Sequence, residues 1–147
     1  MNVLVSACLL GANCRYDGGG ALHPALEALA KRPDVVLIPV CPEIYGGLAT
    51  PRTPAERQGA AVMTKDGQDV TAAYEKGAKE SLRFAQLTGC TAAVLKARSP
   101  SCGSGRIYDG NFNGTQIPGD GVTAALLKAN GIAVYTEEQV EQMLEEH

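Results

Sequence analysis

The sequence predicts an α/β fold, a mainly parallel, Rossmann-like sheet of about four strands flanked by helices, with a small loop or hairpin insertion after the second strand. Three observations carry this. Short apolar runs rich in β-branched residues recur at Asn2–Ser6, Val35–Val40, Thr91–Leu95 and Ile132–Tyr135. Helical periodicity or helix stop signals fill much of the sequence between them. Strands that alternate with helices form βαβ units, whose crossovers are right-handed and whose sheets are parallel. The chain has 147 residues, 45% hydrophobic and 20% charged, which suits a single domain over residues 1–147 with one core.

Asn2–Ser6 reads as a buried first strand running into Cys8 and a glycine-containing turn. Ala21–Lys31 carries Leu22, Ala25, Leu26 and Leu29 at helical spacing and is stopped by Pro33. Val35–Val40 is the second strand and ends at Cys41-Pro42-Glu43. Tyr45–Gly67 reads as a long connection, in which Ala60–Met63, closed by the Lys65-Asp66-Gly67 turn signal, suits a small hairpin. Asp69 is placed to N-cap a long helix that runs to about Leu87 and is ended by Gly89. Thr91–Leu95 is the third strand and leads through Lys96 to Ser99-Pro100-Ser101-Cys102-Gly103. Gly105–Gly119 reads as a polar, glycine-rich loop with a short hairpin around Asp109-Gly110. Val122–Ala129 is a helix ended at Asn130-Gly131, Ile132–Tyr135 the fourth strand, and Thr136 opens an acidic C-terminal helix.

A net charge of −3 gives no basic field to hold a polymeric nucleic acid by counterion release, although a single base or nucleotide is not disfavoured. The longest apolar stretch, Val35–Cys41, is too short and Pro-interrupted to span a bilayer, so no membrane association is expected. The N-terminus lacks a basic segment followed by a long apolar one and a cleavage site, so a cytoplasmic location is expected. Five cysteines, an odd number at irregular spacing, do not make a disulfide framework.

In open α/β sheets, ligands sit outside the carboxyl ends of the strands. Cys8 follows the first strand, Cys41 closes the second and Cys102 lies in the loop after the third, so all three fall on that edge. Cys90 falls on the opposite edge, and Cys14, further into the first loop, can point either way. No CxxC pair is present, which disfavours structural zinc. A catalytic zinc with three ligands, or an iron–sulfur cluster held by three thiolates with one open iron, fits the spacing. Redox thiols and buried structural cysteines fit it as well. Glu43, two positions past Cys41, would face the same cleft and can serve as a general base. Ser99 and Ser101 flank Pro100, and Cys102-Gly103-Ser104-Gly105 offers backbone N–H groups for an anion nest. Arg52, between Pro51 and Pro54, is stiffly mounted to hold an anion or an acidic side chain.

These residues fall into blocks. Ser6-Ala7-Cys8-Leu9-Leu10-Gly11 precedes Cys14-Arg15-Tyr16-Asp17-Gly18, and Cys41-Pro42-Glu43 precedes Gly46-Gly47-Leu48 and Pro51-Arg52. Ser99-Pro100-Ser101-Cys102-Gly103 continues to Ile107-Tyr108-Asp109-Gly110 and Phe112, and Gly119-Asp120-Gly121-Val122 forms a weaker fourth block with Ala124-Ala125. Together they resemble the thiouracil desulfidases, a bacterial family long catalogued as uncharacterised, over nearly the whole chain. The resemblance implies a 4Fe-4S cluster held by Cys8, Cys41 and Cys102, with one iron open to the thiocarbonyl sulfur of a thiolated pyrimidine base, nucleoside or nucleotide. It further implies a non-redox reaction in which water replaces sulfur, giving the oxo pyrimidine and sulfide. Glu43 matches the acid/base, and Ser101 matches a hydroxyl that assists proton transfer or positions substrate. Cys14 matches a family block without a role following from it, and Cys90 matches none. Two other readings use the same thiols: a zinc-dependent hydrolase or deaminase with Glu43 activating water, and a non-enzymatic iron–sulfur protein that senses oxygen or redox state.

Overall fold

The computed structural model describes residues Met1–His147. β1 (Asn2–Ser6) passes through a 3-10 turn at Ala7–Leu10 to α1 (Pro24–Ala30), β2 (Val36–Val40) and the four-residue α2 (Pro42–Tyr45). An antiparallel hairpin of β3 (Ala55–Gln58) and β4 (Ala61–Thr64) precedes the long α3 (Thr71–Leu87). β5 (Ala92–Leu95) leads to a second hairpin, β6 (Arg106–Tyr108) with β7 (Gln116–Pro118). Then come α4 (Val122–Ala129), β8 (Ala133–Thr136), a 3-10 turn at Glu137–Gln139 and α5 (Val140–Glu146).

The central sheet has the order β2-β1-β5-β8 and is parallel throughout, with Leu4 opposite Ile38 on one side and Ala93 on the other. Side chains alternate across it, as strand geometry requires. Val3, Val5, Ala92 and Val94 pack with Leu26 and Leu29 of α1 and Val140 and Met143 of α5. Leu4, Ala93 and Leu95 pack on the other face with Ala85 of α3 and Ala124 and Leu127 of α4. The result is three layers, with helices covering both faces of the sheet. The chain leaves β1 toward one edge and returns through β5 toward the other. The loops after β1 and β5 therefore part at the carboxyl edge and leave a crevice between them.

The structure departs from the sequence reading in its short elements. α1 starts at Pro24 rather than Ala21, because a residue before proline is held extended. His23 lies at φ −116°, ψ 132°, and its Nδ1 accepts from Ala25 N at 3.2 Å as the helix cap, leaving Leu22 52% exposed. The hairpin after the second strand turns at Gly59-Ala60 between β3 and β4, while Lys65-Asp66-Gly67 makes a further turn after it. Asp69 Oδ1 accepts from Thr71 N at 2.9 Å at the start of α3. The segment read as a strand end followed by a loop instead becomes α2, with Pro42 in its first turn, where a missing N–H costs nothing.

α2 is fixed by unusually close contact with α3. A Cβ on Gly77 would lie 1.8 Å from the Pro42 carbonyl oxygen, and one on Gly46 would lie 2.1 Å from the Ala73 carbonyl oxygen. Only glycine at both positions lets the two backbones touch.

Candidate active site

A cavity of about 550 Å3 opens at the carboxyl edge of the sheet. Cys8 in the turn after β1, Cys41 at the end of β2 and Cys102 in the loop after β5 all line it, and so does Cys14. Cys90 lies elsewhere, buried among Ala85, Ala93 and Ile132, with its sulfur 3.3 Å from the Thr88 hydroxyl. All five thiols are free.

Burial first, and then the neighbouring Cys41, push the Cys8 thiol up to about 11, against the opposing pull of Lys96 and Arg15. Burial and Cys41 likewise push Cys14 up to about 12. Burial raises Cys102 as well, opposed by the nearby Ser6 and Ser101 hydroxyls. A metal that took these buried thiols as thiolates would therefore release protons. No three His, Cys, Asp or Glu side chains gather around a position for one metal ion. The donor set fits a polynuclear iron–sulfur cluster better. It offers soft sulfur ligands on three separate loops around one cavity.

Glu43 stands in the first turn of α2, beside these thiols, and lines the same cavity. Its Oε2 accepts from Arg52 Nε at 2.9 Å and also from Arg52 Nη2. Its Oε1 lies 3.5 Å from the Ser99 hydroxyl. Arg52 donates further to the carbonyls of Cys14 (2.9 Å) and Ala49 (3.1 Å) and to the Thr50 hydroxyl (3.1 Å). The pair is largely buried, the Glu43 and Arg52 side chains being 15% and 9% exposed. Arginine's planar fork can satisfy this many acceptors at once, which lysine cannot.

The two serines around Pro100 separate. Ser99 lines the cavity, and its Oγ accepts from the N–H groups of Ser101 and Cys102, each at 3.1 Å. Ser101, expected as the site hydroxyl, is 0% exposed and points away, its Oγ 2.9 Å from Thr123 Oγ1 on α4. It sits behind Cys102 and does not reach the cavity. The expected anion nest is also absent. Cys102 N donates to Ser99 Oγ, Gly103 N donates to Ser99 O (2.8 Å) and Gly105 N donates to Asp120 Oδ1 (2.8 Å).

Two groups on the cavity wall carried no functional signal in the sequence. Tyr74, on α3, is 3% exposed, and burial together with the nearby Glu43 raises its phenol well above the usual range. Lys96, just past β5, is paired at 2.9 Å with Glu137 and donates its N–H to Ser6 Oγ at 2.9 Å.

The sequence blocks and this cavity agree with a family comparison. The family model described as 2-thiouracil desulfurase matches residues 3–139. The chain belongs to the 2-thiouracil desulfurase family. Among solved structures, the chain superposes on the 4Fe-4S-dependent thiouracil desulfidase TudS with a TM-score of 0.88 and 47% identity, over 96% of this chain and 93% of that one. It is also 43% identical to the uncharacterised protein YbbK of Bacillus subtilis (strain 168), over 97% of this chain and 99% of that protein. The four-stranded parallel sheet flanked by helices is thus the family's architecture, and membership makes the chain an enzyme. No helix of the chain is long and apolar enough to cross a membrane.

Proposed function

We propose that this protein is a 4Fe-4S-dependent desulfidase that replaces the thiocarbonyl sulfur of a thiolated pyrimidine with oxygen from water. The observation that carries the reading is the meeting of Cys8, Cys41 and Cys102 with the Glu43–Arg52 pair in one cavity at the carboxyl edge of the sheet. Cys8, Cys41 and Cys102 would hold the cluster. When bound, such a cluster with one iron free of protein ligands supplies a soft Lewis acid to the thiocarbonyl sulfur, which makes sulfide a better leaving group.

The protein's own residues handle the water. Arg52 occupies Glu43 Oε2 and leaves Oε1 on the Ser99 side of the cavity. From there Glu43 takes a proton from the water that attacks the ring carbon and returns it to the departing sulfur. The balance is thiocarbonyl plus water to carbonyl plus hydrogen sulfide, with no electrons transferred. Ser99, its oxygen engaged by two backbone N–H groups, presents its own proton toward Glu43 and the cavity. Ser101 acts through Cys102, as a positioning residue that supports the thiolate from behind. The cavity's size and the net charge of −3 suit a single pyrimidine rather than a nucleic acid strand. Five free thiols and an oxygen-sensitive cofactor suit a reducing cytoplasm.

Turnover of 2-thiouracil in heavy-oxygen water tests the reaction. Cluster-loaded protein should release one sulfide for each uracil formed, with the label in the new carbonyl and no reductant consumed. Unlabelled uracil, or sulfide release that requires a reductant, would overturn it.

A further inference from the structure

Tyr74 is delivered to the cavity by the close backbone contact between α2 and α3. Gly77 and Gly46 let α3 lie directly against α2, so a residue one turn before Gly77 reaches past Pro42 toward Glu43. The ring is buried, yet its phenol oxygen has no hydrogen-bond partner within the chain, and no fully buried polar side-chain atom is left unpaired. The oxygen therefore opens on the cavity that the ring lines. A buried tyrosine normally finds a partner for its hydroxyl. The neighbouring polar groups are already committed: Arg52 to Glu43 and three further acceptors, and the Ser99 oxygen to two N–H groups. Tyr74 is the neutral donor left free on the wall formed by α2 and α3.

We propose that Tyr74 is a substrate-binding residue whose phenol donates a hydrogen bond to the ring carbonyl oxygen that the thiolated pyrimidine retains through the reaction. The inference rests on the desulfidase reading for the identity of the ring, and on the α2–α3 geometry for the contact. That oxygen is present in substrate, transition state and product alike, so the contact contributes uniform binding and sets KM rather than kcat. It also discriminates against rings that lack an acceptor there, because the phenol would then be desolvated without a partner.

The test is Tyr74→Phe in cluster-loaded protein, with iron content and melting temperature measured as controls. Binding of uracil, followed by calorimetry, needs no chemistry and should weaken roughly tenfold. For 2-thiouracil, KM should rise by a similar factor while kcat stays within about twofold. The inhibition constant of pyrimidine-2-thione, which keeps the sulfur and lacks the carbonyl, should be unchanged. Equal weakening for uracil and pyrimidine-2-thione would make Tyr74 a packing wall and overturn the proposal, as would unchanged uracil binding. A wild-type protein that binds uracil through Tyr74 but releases no sulfide from thiouracil would condemn the reaction and leave the contact standing. Failure to bind either ring would overturn both.

Discussion

Arg52 grips Glu43 through Oε2, with Nε at 2.9 Å, while its Nη2 donates to the Cys14 carbonyl oxygen at 2.9 Å. One guanidinium thus joins the loop after β1 to the loop after β2 and fixes the carboxylate that faces the cavity. Lysine can meet one of these demands at a time. Arg52→Lys should lower kcat by about tenfold to a hundredfold, because a misplaced catalytic group costs that much. It should also destabilise the fold by about 1 to 2 kcal/mol, because the charge stays while the hydrogen bonds to the remaining acceptors are lost. Sulfide-release kinetics and urea unfolding check the two effects. An unchanged kcat would mean that Glu43 needs no such support.

Glu43→Gln keeps the size and the Ser99 and Arg52 surroundings but removes the proton carrier. Iron and sulfide content should stay at the wild-type level while kcat falls by about a hundredfold or more. Loss of iron with the substitution would show instead that Glu43 serves the cofactor.

The α2–α3 contact predicts a steric penalty far from any reacting atom. A methyl group on Gly77 meets the Pro42 carbonyl oxygen at 1.8 Å, so the helices must part for Gly77→Ala to fold. The expected cost is about 3 kcal/mol or more, at the severe end for one substitution. Because Glu43 and Tyr74 lie on the two helices, residual activity should fall further than residual fold, which circular dichroism and turnover on one sample will compare.

Stability should also respond to acid through Glu137. Burial alone would raise this carboxyl, but the Lys96 ammonium and the Ala97 N–H together hold it below its usual value of 4.5. A carboxyl depressed in the folded state stabilises the protein above its unfolded pKa, and that contribution is lost as pH falls through the folded one. Metal-free protein should therefore lose stability below about pH 5, and Glu137→Gln should flatten that limb of the curve. Urea midpoints measured from neutral to acid pH provide the check, and parallel curves would contradict it.

The sheet was legible because Val3–Val5, Val36–Val40, Ala92–Leu95 and Ala133–Tyr135 are short apolar runs separated by helical spacing, and parallel strands buried on both faces carry that signature. The carboxyl-edge rule places Cys8, Cys41 and Cys102 on one edge from their positions after the strands alone. The remainder of the site depended on tertiary contacts. α2 is four residues long and opens on proline, too short for periodicity to register. Ser99 and Ser101 flank Pro100 alike in sequence, and only the backbone path sends one to the cavity and the other to Thr123. Tyr74 looks like any aromatic on a helical apolar face, and the approach of Gly77 to Pro42 that aims it has no local signal.

Desulfurisation is expected to depend on a cofactor that Cys8, Cys41 and Cys102 hold together. The most direct measurement is iron and acid-labile sulfide per chain after anaerobic reconstitution, for wild type and for Cys8→Ala, Cys41→Ala, Cys102→Ala and Cys14→Ala. About four irons are expected in wild type, the content of one 4Fe-4S cluster, and in Cys14→Ala. Each of the other three variants should lose the cluster and its sulfide release. Full iron content in any of those three, or one zinc in place of iron, would contradict it.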